Sequence, residues 1–259
     1  MPWPLPVWTG LMNENPLSIC IIGFGAFGQL LARLLRPHAG ISVMDPSKKA
    51  RAAACAARMH VIERPEDVTA DIVLLAVPLP ALKRCLEDIA PHLRPGQIIA
   101  DVCSIKEKPA QMMEHLLPPF VEIVATHPMF GPNSAGADLA GLQVVICPIR
   151  GNGWRRPTAF LRRVLRAETI ITTPEDHDRQ TALTQGLTHL LARGLSILGD
   201  HPRIGTKSSL LLAEALAMVE HDAPEVFDAV TRGNRHVAPI WQELSQVFQG
   251  LIPPEDTAR

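Results

Sequence analysis

Several classes of protein are excluded by what this 259-residue chain lacks. It has no block of basic residues, and 25 Lys and Arg against 26 Asp and Glu leave a formal charge of −1. Such a balance speaks against a nucleic-acid or anionic-membrane partner. No apolar run reaches the roughly 18 residues that a membrane span needs. The five cysteines, Cys20, Cys55, Cys85, Cys103 and Cys147, are scattered, with none of the close spacings of a zinc knuckle or a redox pair. They read as buried, reduced thiols in a cytoplasmic protein. There is no internal repeat, no low-complexity stretch and no metal-ligand cluster. The first sixteen residues lack the basic start and apolar core of a secretory signal; Pro2, Pro4, Pro6 and Pro16 with Trp3 and Trp8 between them read as an extended arm.

Hydrophobic residues make up 47% of the chain and charged residues 20%, enough for a packed core and too apolar for wholesale disorder. From Leu17 to about Thr172, short apolar runs alternate with helical spacing. Strands are expected at Leu17 to Ile22, Ile41 to Met44, His60 to Ile62, Asp71 to Val77, Gln97 to Val102, Val121 to Ala125, Leu142 to Cys147 and Thr169 to Thr172. The helices between them predict an α/β domain, a Rossmann-type, doubly wound and mainly parallel sheet, over residues 17–173. From Pro174 the strand-like runs stop. Leu183, Leu187, Leu190, Leu191, Leu195 and Leu198, then Leu210, Leu211, Leu212, Leu216 and Val219, recur at helical spacing. Residues 174–252 are therefore expected to be all-helical, with apolar surface suited to a second subunit, and 253–259 to be a tail.

Gly23, Gly25 and Gly28 lie between the first buried strand and a helix, with Phe24, Ala26 and Phe27 interleaved. In such a loop the first glycine makes the turn, the second lets the backbone approach a pyrophosphate and the third lets helix and strand pack closely, so the phosphate meets the helix N-terminus. Asp45 follows the second strand, 22 residues after Gly23, where a carboxylate reaches ribose hydroxyls or, more plainly, starts a helix beside Pro46. A carboxylate there favours NAD over NADP, although Lys48 and Lys49 close by leave NADP open. Val77 and Pro78 end the fourth strand on the same edge and could flank the cofactor.

His127 follows the sixth strand in Thr126-His127-Pro128-Met129-Phe130-Gly131-Pro132. Pro128 and the Gly131-Pro132 turn are expected to end that strand, presenting His127 at the carboxyl edge, where open α/β sheets bind ligands and where a histidine can take a proton. Ser104 and Lys106 follow the fifth strand. Ser104 could bond a substrate hydroxyl or cap the next helix, and Lys106 could reach a carboxylate or lie in solvent. Further on, Thr184, Gln185, Thr188 and His189 put polar groups on an apolar helix, which suits a pocket lining or an exposed face. His177 and His189, twelve residues apart, fall about 120° out of register on a continuous α-helix and cannot pair as metal ligands. Arg232 and Arg235 are suited to gripping a carboxylate, or are surface cations.

In these segments the chain resembles the prephenate/arogenate (cyclohexadienyl) dehydrogenase family of tyrosine biosynthesis. The matching stretches are Gly23 to Gln29, Asp101 to Lys106, Thr126 to Pro132, His177-Asp178 with Gln185 and Thr188-His189, and Thr231-Arg232 with Pro239 and Trp241. The resemblance implies a dinucleotide-binding domain followed by a helical dimerising domain, and NAD(P)-dependent oxidative decarboxylation of prephenate, arogenate or both. By the same resemblance His127 is the catalytic base, Ser104 its partner at the substrate hydroxyl, His189 a lining residue and Arg232 the carboxylate ligand, with Gln185, Thr188 and Lys106 also toward the substrate. An acidic neighbour would favour the amine of arogenate, and Asp176 or Asp178 could supply it. Two rivals stand beside this reading: an imine reductase or β-hydroxyacid dehydrogenase of similar layout, which does not call for a histidine after the sixth strand, and a non-catalytic dinucleotide sensor, which would bring a basic recognition segment.

Overall fold

The computed structural model describes residues 17–132, 135–136, 139–199, 204–220 and 222–251. The expected N-terminal arm and C-terminal tail lie outside them. The described residues divide into two compact units, the first comprising those up to Cys103 with Lys108–Thr172, the second Ser104–Glu107 with those from Thr173.

The first unit is built on eight strands: β1 (Ser18–Ile22), β2 (Gly40–Met44), β3 (His60–Ile62), β4 (Ile72–Leu75), β5 (Ile98–Asp101), β6 (Glu122–Pro128), β7 (Gln143–Arg150) and β8 (Glu168–Ile171). They lie in the order β3-β2-β1-β4-β5-β6-β7-β8. All neighbours are parallel except β6 and β7. Side chains alternate across the sheet, so both faces must be covered. Cys20, Ile22, Val73, Leu75, Ile99 and Ile123 pack against Leu82, Leu86 and Ile89 of α3 (Leu79–Ile89) and Met113 of α4 (Glu107–Leu116). Ile19, Ile21, Val43, Ile72 and Val124 face α1 (Ala26–Leu35), with Ala54 of α2 (Lys48–Ala56) and Phe160 and Leu161 of α5 (Arg155–Arg163) in the same layer. Ile21, Val73, Ile99 and Ile123 are fully buried, each worth about 1.5–3 kcal/mol of transfer free energy. This is the doubly wound α/β fold expected.

One boundary is corrected. β6 does not stop at Ala125; it runs on through Thr126, His127 and Pro128, paired with Ile146, Val145 and Val144 of β7. The reason is geometric. The Met129 N–H bonds Gln143 O on the β7 side at 2.9 Å, so along an alternating strand the nitrogen of Pro128 turns the other way. On that side β5 has already ended, its last pair being Asp101 with Ala125. The missing proline donor is therefore never called upon.

The second unit contains α6 (Pro174–Thr181), a π-helical turn over Ala182–Gly186, α7 (Leu187–Leu198), α8 (Lys207–Glu220), α9 (Pro224–Asp228), a second π turn over Ala229–Gly233 and α10 (Val237–Leu251). The turn at 182–186 lies between His177 and His189, so the 100° per residue used to relate them does not apply along the whole segment.

Candidate active site

The glycine loop follows β1 as expected, and its three glycines are needed for different reasons. Gly23 has φ +97°, and a Cβ there would lie 2.5 Å from Ala76 O and 3.1 Å from Val77 Cγ1. A Cβ on Gly28 would fall 2.0 Å from Gly23 O. Both are therefore glycine because protein backbone fills the space. At Gly25 a Cβ would meet nothing within 4 Å. Gly25 is also the N-cap of α1, with no side-chain cap and no acidic residue in the first turn, so the helix N-terminus presents its donors and its positive dipole end to that open space. This is what a pyrophosphate requires, and the loop fits a dinucleotide.

Asp45 lies against this loop. Its Oδ2 accepts from the Phe24 N–H at 2.7 Å and its Oδ1 from the Ser47 N–H at 2.8 Å. The guanidinium of Arg51 donates to the carbonyls of Asp45 and Pro46 at 3.0 and 2.8 Å. Ser47 caps α2, its hydroxyl accepting from the Ala50 N–H at 3.4 Å. Val77 touches the Gly23 turn, and Pro78 is the N-cap of α3, so Pro78-Leu79-Pro80 begins a helix directly.

His127 belongs to the same unit. It lies in the part of β6 that outruns β5 and is 3% exposed. From β1 to β6 the edge crosses three inter-strand spacings, roughly 14 Å, within reach of an extended dinucleotide. Phe27 of the loop and Phe130, three residues after His127, have ring centroids 6.4 Å apart. Asp101, fully buried, fastens the neighbouring strand ends: its carboxylate accepts from the N–H of Cys103 at 2.9 Å and of Thr126 at 3.3 Å, and its carbonyl accepts from the Thr126 hydroxyl at 2.5 Å. Sequence reasoning quoted Asp101 but gave it no role; a carboxylate closing a buried strand was the available signal.

In the second unit, segment 104–107 is held by α6. The carboxylate of Asp178, 2% exposed, accepts from the Lys106 N–H at 2.7 Å and the Glu107 N–H at 3.0 Å, and His177 Nδ1 lies 2.7 Å from its Oδ1. Asp178, which by its charge alone suggested a partner for a substrate ammonium, is thus engaged by backbone donors and His177. Asp176 is engaged too, by Arg179 and by Gln180 Nε2 at 2.7 Å. Lys106 is fully buried, which overturns the solvated reading of its side chain. Asn234 Nδ2 donates to Asp178 O at 2.7 Å, and Glu107 accepts from Arg235 Nε at 2.9 Å and pairs with His236 Nε2 at 2.8 Å. The bond to Glu107 is the main cause holding the Arg235 guanidinium above its usual range. Glu107, Asn234 and His236 were missed by sequence reasoning because they lie more than a hundred residues apart or look like ordinary loop residues.

His189 is 3% exposed; its Nδ1 donates to Gln185 O at 2.9 Å and its Nε2 lies 3.1 Å from Asp222 Oδ2. Gln185 Oε1 is buried without a hydrogen-bond partner. The Thr188 hydroxyl donates to Thr184 O at 2.7 Å. Arg232 is exposed and paired with Asp228 at 2.9 Å. Among the described residues there is no group of three or more His, Cys, Asp or Glu placed to hold a metal, and no helix long and apolar enough to cross a membrane.

Known proteins show the same pattern. Residues 31–148 match the family model for the nucleotide-binding domain of prephenate dehydrogenase. A "Probable arogenate/prephenate dehydrogenase" of Methanocaldococcus jannaschii is 36% identical over 122 residues, 46% of this chain and 27% of that protein. Arogenate dehydrogenase 2, chloroplastic, of Arabidopsis thaliana is 27% identical over 250 residues, 92% of this chain and 70% of that protein. The chain thus spans about a quarter of the archaeal relative's length and about two thirds of the plant one. The crystal structure of prephenate dehydrogenase from A. aeolicus with hydroxyphenyl propionate and NAD+ has the same fold, with a TM-score of 0.74 at 18% identity over 93% of this chain and 91% of that one. Residues 31–148 are thus similar to the nucleotide-binding domain of prephenate dehydrogenase, and the chain as a whole is similar to the prephenate and arogenate dehydrogenases.

Proposed function

We propose that the chain is an NAD(P)-dependent dehydrogenase that oxidises and decarboxylates prephenate, arogenate or both, with His127 as general base. The observation that carries the reading is His127 itself, a buried histidine on a strand that outruns its parallel neighbour, at the same sheet edge as a glycine loop that fits a dinucleotide. A bound nicotinamide supplies the hydride acceptor. His127 takes the proton of the ring hydroxyl as hydride leaves the same carbon. The ring ketone so formed loses its carboxylate as carbon dioxide and becomes aromatic, so no metal is needed. Ser104 orients that hydroxyl and His189 lines the ring's surroundings, with Gln185, Thr188 and Lys106 toward the substrate. Arg232 exchanges Asp228 for a substrate carboxylate, a two-pronged contact that its exposed guanidinium is free to make. Asp45 against the glycine loop favours NAD, since a carboxylate there repels a ribose phosphate.

The same reading takes the protein to be a cytoplasmic homodimer. α8 buries only Leu216, while Leu210, Leu211 and Leu212 are each more than half exposed, a face suited to a second copy. The test of function is reduction of NAD+ and NADP+ with each of the two substrates. Turnover is expected with at least one pair, and His127→Asn should bind NAD+ normally while kcat falls by about 10²–10⁴. Silence with all four combinations, or full turnover by His127→Asn, overturns the assignment.

A further inference from the structure

Segment 104–107 leaves a strand of the sheet unit yet is counted with the helical one. Its backbone is gripped from two directions. Asp178 takes the two successive N–H groups of Lys106 and Glu107, donors at the start of a helix, where a carboxylate is the favoured partner. His177 backs that carboxylate from the same helix: since Asp178 Oδ1 can only accept, His177 Nδ1 carries the proton. From the turn after the second π segment, Asn234 holds the Asp178 carbonyl, while Arg235 and His236 hold the Glu107 carboxylate. Between the grips, Ile105 is 1% exposed, and a Cβ on Gly233 would come within 3.3 Å of its Cδ1, so glycine lets the turn close over it. Ser104 is the next residue.

We propose that Asp178 is a positioning residue for Ser104: with the Glu107–Arg235–His236 latch it fixes the backbone that carries the serine, so that the helical unit sets where that hydroxyl stands. This rests on the reading that Ser104 orients the substrate hydroxyl. A buried carboxylate that accepts two adjacent backbone donors and an imidazole is a fixed geometric element, and misplacing a reacting group by about 1 Å costs on the order of 100-fold.

The test is a double-mutant cycle on the full chain. Asp178→Asn puts an amide N–H against a backbone N–H and should lower kcat roughly 10–100-fold, leaving the affinity for NAD+ unchanged. In a Ser104→Ala background the same change should cost less than about twofold, because the group it positions is gone. A merely structural role would give the same loss in both backgrounds. If Asp178→Asn does not fold, the exposed arm of the latch decides: Arg235→Ala should lower kcat by a few-fold, and that loss too should vanish with Ser104→Ala. Losses that multiply, or an undiminished kcat, overturn the inference alone. An unmodified chain inert toward both substrates overturns the functional reading, and this inference with it.

Discussion

The two units reach order by opposite means. In the sheet unit the fully buried side chains are mostly apolar, and Ile21, Val73, Leu75, Leu82, Leu86, Ile99 and Ile123 are sealed between two helical layers. In the helical unit polar groups are as common as apolar ones among the described buried residues: His177, Asp178, Thr181, His189, Thr231 and Asn234 are each 6% exposed or less. Several of its leucines stand outside, with Leu195, Leu198, Leu210, Leu211 and Leu212 all about half exposed or more. A polar interior of this kind is tolerable only when its donors and acceptors are matched, as they are around Asp178, and it fixes geometry more sharply than it lowers free energy. One unit is a self-sufficient core; the other is a framework of hydrogen bonds whose apolar surface is turned outward.

Breaking the core should have the largest effect. Gly28→Ala drives a Cβ onto the Gly23 carbonyl, and the resulting shift of α1 from β1 should cost more than about 3 kcal/mol and lower Tm by roughly 10 °C, with NAD+ binding lost. Gly25→Ala is its control. Its Cβ meets no protein atom, so Tm should hold while the Kd for NAD+ rises by on the order of tenfold, because the crowding falls on the ligand. Calorimetry and titration of the two variants separate the cases, and an equal drop in Tm for both would refute the distinction.

Next comes the outward face of the helical unit. Leu211→Glu should leave the sheet unit and its NAD+ binding intact while shifting the protein toward monomer in sedimentation analysis. A variant that sediments like the parent would refute the proposed dimer face.

The smallest effect concerns the thiols. Burial pushes Cys20 up to about 11 and Cys85 up to about 12, so both remain protonated and unreactive in the folded protein until strongly alkaline pH. Cys55 is exposed, against the expectation that the thiols are buried, whereas Cys103 and Cys147 are buried. A thiol reagent near pH 8 should therefore find one fast site per chain, abolished by Cys55→Ser, and all five after unfolding. A second fast site in the native protein would mean that the core opens more readily than its packing implies.

The same contrast explains what could be read from the sequence. The strands of the sheet unit were legible because apolar runs closed by glycine or proline are local signals, and the glycine loop and Asp45 followed from their spacing. The end of β6 was not, because Pro128 reads as a breaker until its antiparallel partner Val144, sixteen residues further on, is known. In the helical unit the leucine spacing gave the helices but not the π turns at 182–186 and 229–233, which shift the register through i→i+5 bonds that no residue type announces. The commitment of Asp178 to backbone donors 71 and 72 residues earlier was hidden for the same reason: a carboxylate beside a histidine looks like chemistry until its partners are seen.

The excursion of residues 104–107 also bears on how the protein can be taken apart. The chain passes between the units at 103/104, at 107/108 and at 172/173. A cut at 172 alone, by protease or by gene design, would release a helical fragment whose Asp178 has lost both backbone donors. That carboxylate would then lack the partners that offset its burial, and the fragment should fold poorly by itself. Exchange of the helical part between relatives would have to carry four residues from the middle of the other domain with it.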